Sequence, residues 1–167
     1  MFQELARIIT TWLTDLGLRP QAAAKIAGIS DFLTVLVLGV IVYYITKYFI
    51  IRIIKRIAVK TASNWDDALL EHKVFQRMAF LIPGILIYQS IPVTLDEFPG
   101  FISTALKLTN LYIIIVFLLI INSFLNAVYA MYQKSEFALY HPIKGYIQIA
   151  KIIVVIVVFL LILSLLF

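Results

Sequence analysis

The stretch Ile152–Phe167, IIVVIVVFLLILSLLF, holds no charged residue and a single hydroxyl. A helix that is apolar on every side has no face to offer water, so it is buried in protein or bathed in lipid. As a helix these residues rise about 24 Å, and a turn or two of the preceding sequence completes the roughly 30 Å of a bilayer's hydrocarbon core. Membrane helices ordinarily close on Lys, Arg, Trp or Tyr at the headgroup level. This one reaches Leu165-Leu166-Phe167 still apolar, so the chain is expected to continue in a longer parent. Three upstream runs share its character, and the expectation is a multi-pass membrane protein.

Composition agrees. Of the 167 residues 63% are hydrophobic and 14% charged, against about 25% charged in ordinary globular domains. A soluble domain would lack polar cover, whereas a bilayer makes that cover unnecessary. The net charge of +5 then reads as an orientation signal rather than a nucleic-acid footprint, and no nucleic-acid partner is expected. No cysteine is present, which removes disulfide and thiolate chemistry. The N-terminus lacks the basic segment and apolar core of a signal peptide.

Residues 1–29 are read as an amphipathic interfacial segment. Phe2, Leu5, Ile9, Trp12 and Leu16 share a helical face with Ala6 and Leu13 beside them, opposite Gln3, Glu4, Arg7, Thr10, Thr11 and Asp15. Gly17 and Pro20 are expected to end this helix. Residues 30–167 are read as a membrane domain of four spans, at about 30–51, 76–93, 105–131 and 143–167. The first span is expected to open at Ser30-Asp31 as N-cap. It leaves the membrane through a helix carrying Arg52, Lys55, Arg56 and Lys60 on one face, opposite Ile50, Ile53, Ile54 and Ile57. Those four cations are assigned to anionic lipid headgroups. Pro83-Gly84 predicts a kink inside the second span, followed by an acidic connection over residues 94–100. The third is the longest charge-free run, Leu108–Gln133. The fourth is expected to start near Pro142, which suits a first helical turn.

Basic residues crowd two connections. Lys47, Arg52, Lys55, Arg56, Lys60, Lys73 and Arg77 lie between the first and second spans, while Lys134 and Lys144 lie between the third and fourth. The positive-inside rule places both in the cytoplasm and the N-terminus outside. Tyr43, Tyr44, Tyr48, Tyr129, Tyr132, Tyr140 and Tyr146 fall at the same end, as an aromatic belt would.

Catalytic patterns are absent from this sequence. His72 and His141 sit on different connections, and Asp67, Glu71 and His72 follow no metal-ligand spacing. There is no phosphate loop, no nucleophile elbow and no pair of intramembrane carboxylates, so neither enzyme activity nor a metal or cofactor is expected. The span cores carry no ionisable group of the kind that ion-coupled transporters keep at mid-depth. Asn122 and Asn126, one turn apart on the third span, are read as interhelical hydrogen-bonding groups worth about 0.6 kcal/mol each. Ser63 with Asp66 is read as a capping box ahead of a short helix, and Trp65 as a headgroup anchor.

Trp65-Asp66-Asp67, followed by Leu69, Leu70, Val74, Phe75 and Arg77, resembles the second-helix signature of the small-conductance mechanosensitive channels. The similarity is greatest to the larger branch with five membrane helices per subunit. HPIKGYIQIAKIIVVIVV, His141–Val158, resembles the start of the helix just before the pore helix in that branch, a likeness carried by Pro142, Lys144, Gly145 and Gln148. The resemblance covers about Val35–Phe167. It implies a homoheptameric channel of the bacterial cytoplasmic membrane that responds to osmotic stress. Trp65, Asp66, Asp67, Arg77, Pro142, Lys144 and Gly145 are implied to make inter-helix or gating contacts, with Asp66 and Asp67 pairing to a neighbouring basic connection. The 167 residues hold neither the Gly/Ala-rich pore helix nor the cytoplasmic domain of that family. What the resemblance implies is therefore the tension-sensing membrane part of a subunit, partnered by lipid and by the rest of the parent channel. The alternative reading is a small multi-pass adaptor or assembly factor, complete as it stands, binding partners through its polar third span.

Overall fold

Seven helices make up the computed structural model, which describes residues 2–58, 64–134, 138 and 143–167. In order they are α1 (Phe2–Asp15), α2 (Pro20–Ala58), α3 (Asn64–Glu71), α4 (Val74–Met78), α5 (Leu81–Thr94), α6 (Pro99–Gln133) and α7 (Lys144–Leu166). No strand occurs among the described residues. Four segments are long and apolar enough to cross a membrane: Pro20–Arg52, Val74–Thr94, Pro99–Gln133 and Lys144–Leu166. The protein is an all-α polytopic membrane protein.

Local sequence explains each break. Gly17 takes φ 87°, a left-handed value that costs glycine nothing. Around it the Leu18 N–H reaches the Leu13 carbonyl and the Gly17 N–H reaches Thr14, the paired bonds of a Schellman stop. The Ala23 N–H then bonds to the Arg19 carbonyl at 3.0 Å, so α2 starts with Pro20 in its first turn, where a missing N–H leaves nothing unpaired. α1 folds back onto α2, turning Ile8, Trp12 and Leu16 outward.

The helix of the first span thus starts at Pro20, and Ser30-Asp31 is not its N-cap. Ala22, Ala23, Ala24 and Ala27 are strong helix formers, and they carry the helix through the boundary expected at residues 29 and 30. Asp31 is an interior, buried residue. Gly28 is a packing residue and does not interrupt the helix: a Cβ there would lie 3.0 Å from the Thr94 carbonyl oxygen, so its absence lets α2 and α5 approach closely.

The acidic connection is also shorter than expected. Pro99 begins α6, leaving Leu95–Phe98 as the turn. At 35 residues α6 rises about 52 Å, well beyond the hydrocarbon thickness. α7 begins at Lys144; Pro142 lies outside the described residues, as does Ser63 of the expected capping box.

Two apolar clusters hold the bundle. At one end Ile91, Leu95 and Ala105 pack with Phe32, Ile87, Phe98, Ile102 and Leu106, joining α2, α5 and α6. Toward the other end Ala68, Val74 and Ala127 pack with Leu69, Ile120 and Met131, joining α3, α4 and α6. α7 rests on α6 and is otherwise bare: only 6% of its most apolar window is buried. A face this apolar and this uncovered is what lipid solvates.

Candidate functional site

The most chemically distinctive region is the break in the second span. Pro83 has no N–H, so the Ala79 carbonyl four residues earlier loses its helical partner. Helix α4 ends at Met78, Ala79 and Phe80 form a turn, and α5 restarts at Leu81. Pro83 thereby falls in the first turn of α5. The kink expected at Pro83-Gly84 is an interruption of the helical hydrogen bonding at Ala79–Phe80, whose backbone stays right-handed helical at φ −60°, ψ −25° and φ −70°, ψ −19°.

Neighbouring helices hold this break from both sides. From α2, the Tyr43 ring stacks on Phe80 with centroids 4.5 Å apart, and Gly39 lies against Pro83. From α6, the Tyr112 hydroxyl donates to the Phe80 carbonyl at 3.0 Å. The Tyr112 ring also lies over Gly84, where a Cβ would come within 2.8 Å of Cε1. Arg77, on α4, donates from its guanidinium to the Leu119 carbonyl of α6 at 2.7 Å. That acceptor is a main-chain carbonyl within a membrane-crossing helix, and not a carboxylate.

Arg77 therefore lies at the start of the apolar segment Val74–Thr94. Its guanidinium is docked on the neighbouring helix.

Further along α6, Lys151 of α7 donates to Asn126 Oδ1 at 2.6 Å. Asn126 thus makes an interhelical bond, whereas Asn122 is half-buried without such a bond. Leu119, Ser123 and Asn126 recur at helical spacing on one face of α6. Ser123 is 1% exposed, and its Oγ has no hydrogen-bond partner.

Other sequence-predicted site residues are dispersed. Arg52 hydrogen-bonds Tyr48 and lies over its ring, 4.4 Å from the centroid, at the exposed end of α2. Asp67 is exposed on α3. Lys144 and Gly145 are exposed at the start of α7, and nothing lies within 4 Å of where a Gly145 Cβ would be. Lys60 and Pro142 lie outside the described residues, as do the side chains of Lys55, Arg56, Trp65 and Asp66.

Between α2, α5 and α6 runs a groove of about 300 Å³, lined by Phe32, Leu36, Ile87, Ile91, Phe101, Ala105, Leu108, Thr109 and Tyr112. Its two hydroxyls are already engaged, Thr109 with the Ala105 carbonyl and Tyr112 with Phe80. What the groove offers a ligand is therefore hydrocarbon contact.

Sequence reasoning found Arg77 but missed Tyr112 and Leu119. Pro83-Gly84 marked the region, but the carbonyl that Pro83 frees is that of Ala79, whereas Tyr112 donates to that of Phe80. No protein-family model matches the chain, and no solved structure matches it at a significant level.

Proposed function

We propose that this chain is the tension-sensing membrane region of a mechanosensitive ion channel subunit, whose pore-lining helix and cytoplasmic domain lie elsewhere in the parent. The supporting observation is the broken second span, pinned to α2 by Tyr43 and to α6 by Tyr112 and Arg77. Lateral tension favours whichever state occupies more membrane area, and it shifts an equilibrium only through the difference between two states. A sensor therefore needs a discrete element that can adopt two arrangements and a lipid-facing surface through which force arrives. On this reading the turn at Ala79–Phe80 serves as that element, and the bare faces of α7 as that surface.

On this reading the end carrying Lys47, Arg52, Lys73, Arg77 and Lys134 faces the cytoplasm of a bacterium. Arg52, Lys55, Arg56 and Lys60 hold anionic headgroups, each contributing about 1 kcal/mol. The parent assembles as a homoheptamer in the cytoplasmic membrane, and the chain is not an enzyme. The test is patch-clamp recording from the native gene product in a host stripped of its own mechanosensitive channels. Suction should open a current. A silent patch at lytic tension, with the protein verified in the membrane, would overturn the proposal.

A further inference from the structure

Four hydroxyls in these helices share one habit, donating to the carbonyl four residues earlier: Thr34 to Ser30 at 2.9 Å, Ser90 to Leu86 at 2.8 Å, Thr94 to Ser90 at 3.0 Å, Thr109 to Ala105 at 2.9 Å. In an apolar medium this local bond is the natural refuge of a hydroxyl. Ser123 departs from it. Its side chain is buried and its Oγ is unpartnered. The carbonyl it would ordinarily take is that of Leu119, which accepts the Arg77 guanidinium.

A carbonyl oxygen has two lone pairs. In a helix one serves the N–H four residues on, so a single acceptor site remains at Leu119. Arg77 and Ser123 are therefore rivals for it, and in this structure Arg77 holds it.

We propose that Arg77 is a phosphate-binding latch: the phosphate of an anionic phospholipid draws its guanidinium off Leu119, and Ser123 Oγ closes on the vacated carbonyl. The guanidinium fork matches phosphate oxygens better than it matches one neutral carbonyl. Arg77 belongs to the basic end of the bundle, with Lys47, Arg52 and Lys73, and its long aliphatic stem lets the head reach the headgroup layer. Hydrogen bonding is no worse after the exchange. Docked, Arg77 holds one carbonyl and Ser123 holds none; released, Arg77 holds phosphate and Ser123 holds Leu119. Because Arg77 sits three residues before the turn at Phe80, its release frees α4 from α6 beside the break. The inference rests on the sensor reading for its purpose alone, and its test needs no channel.

The test is native mass spectrometry of the purified chain titrated with phosphatidylglycerol, with phosphatidylcholine as the zwitterionic reference. Wild type should retain phosphatidylglycerol preferentially, and Arg77→Gln should lose that preference. Ser123→Ala should weaken phosphatidylglycerol binding about threefold, the equilibrium factor of one intramembrane hydrogen bond. It does so by removing the substitute donor and by relieving the docked state of its orphaned hydroxyl. Ser90→Ala, whose hydroxyl has its own partner, should bind as wild type does. If Arg77→Gln fails to fold, Arg77→Lys and Ser123→Ala carry the test. Unchanged lipid preference in the Arg77 variants, or unchanged affinity in Ser123→Ala, would overturn the latch. Inorganic phosphate that displaces phosphatidylglycerol at equal concentration would overturn the membrane source and assign the site to a soluble anion. A silent patch in the channel experiment would leave these binding results standing, and the converse holds as well.

Discussion

Tyr112 both clamps and spaces the broken span: its hydroxyl donates to the Phe80 carbonyl at 3.0 Å, while its ring covers Gly84 where a Cβ would meet Cε1 at 2.8 Å. Polar satisfaction and close packing thus converge on one side chain. A methyl at residue 84 can be accommodated only by moving that ring, and moving the ring breaks the bond to Phe80. Gly84→Ala should therefore destabilise the bundle by about 1–3 kcal/mol, the usual cost of overpacking. Tyr112→Phe keeps the ring and should cost only about 0.6 kcal/mol. Both are readable as shifts in the SDS unfolding midpoint of the purified chain. Equal effects from the two substitutions would show that the ring contact contributes nothing beyond the hydrogen bond.

Lys73 carries φ 57° between α3 and α4. Its N–H bonds to the Leu70 carbonyl at 3.0 Å, and its own carbonyl accepts the Arg77 N–H at 3.0 Å. The left-handed conformation is imposed by the sharp junction of the two short helices, and an L side chain there costs about 1–2 kcal/mol. Lys73→Gly should raise stability by about 1 kcal/mol in the same assay, and Lys73→Val should lower it. Loss of stability in Lys73→Gly would mean that the ammonium contributes more than the backbone strain it accompanies.

Much of the fold was legible because the bilayer enforces it. A span must be apolar for about 20 residues, so the apolar runs located all four helices. Their ends were harder. Gly28 in a sequence looks like a helix boundary, and only the nearness of the Thr94 carbonyl reveals it as a packing residue. Pro83 marks a break correctly, but the carbonyl that it frees lies a turn earlier, which moves the discontinuity to Ala79–Phe80. The site was less legible still. Arg77 and Leu119 are 42 residues apart, and which carbonyl of α6 meets the guanidinium depends on how α4, α5 and α6 slide against one another. No spacing rule encodes that register, and the orphaned state of Ser123 follows from it.

The contact between Lys151 and Asn126 predicts an asymmetry. Lys151 Nζ is half-buried and donates to Asn126 Oδ1 at 2.6 Å. Asn126→Leu leaves an ammonium in an apolar layer with no acceptor, the expensive way to break such a pair. Lys151→Leu leaves a neutral amide and adds hydrocarbon. The first substitution should therefore cost more than the second, with a coupling of about 0.6–1.7 kcal/mol in a double-mutant cycle. Since α6 is the helix on which α7 chiefly packs among the described residues, Asn126→Leu should also increase the spread of α6–α7 distances between spin labels. The chain's lack of native cysteine makes that labelling straightforward.

Two glycines in helices should respond to alanine with opposite signs. At Gly28 the added methyl would stand 3.0 Å from the Thr94 carbonyl oxygen, a main-chain atom that moves only if α2 and α5 separate. Gly28→Ala should cost about 1–3 kcal/mol and loosen the apolar cluster of Phe32, Ile91 and Leu95 beneath it. At Gly145, in the first turn of α7, nothing lies within 4 Å of the added methyl. Alanine there gains up to about 1 kcal/mol of helix propensity without meeting a neighbour. Measured in the isolated chain, Gly145→Ala should be neutral or stabilising. If the parent is the tension-gated channel proposed above, the same substitution made there reports on assembly: a raised gating threshold, beside unimpaired stability of the isolated chain, would place a neighbouring segment against Gly145. An unchanged threshold would remove Gly145 from the gating contacts.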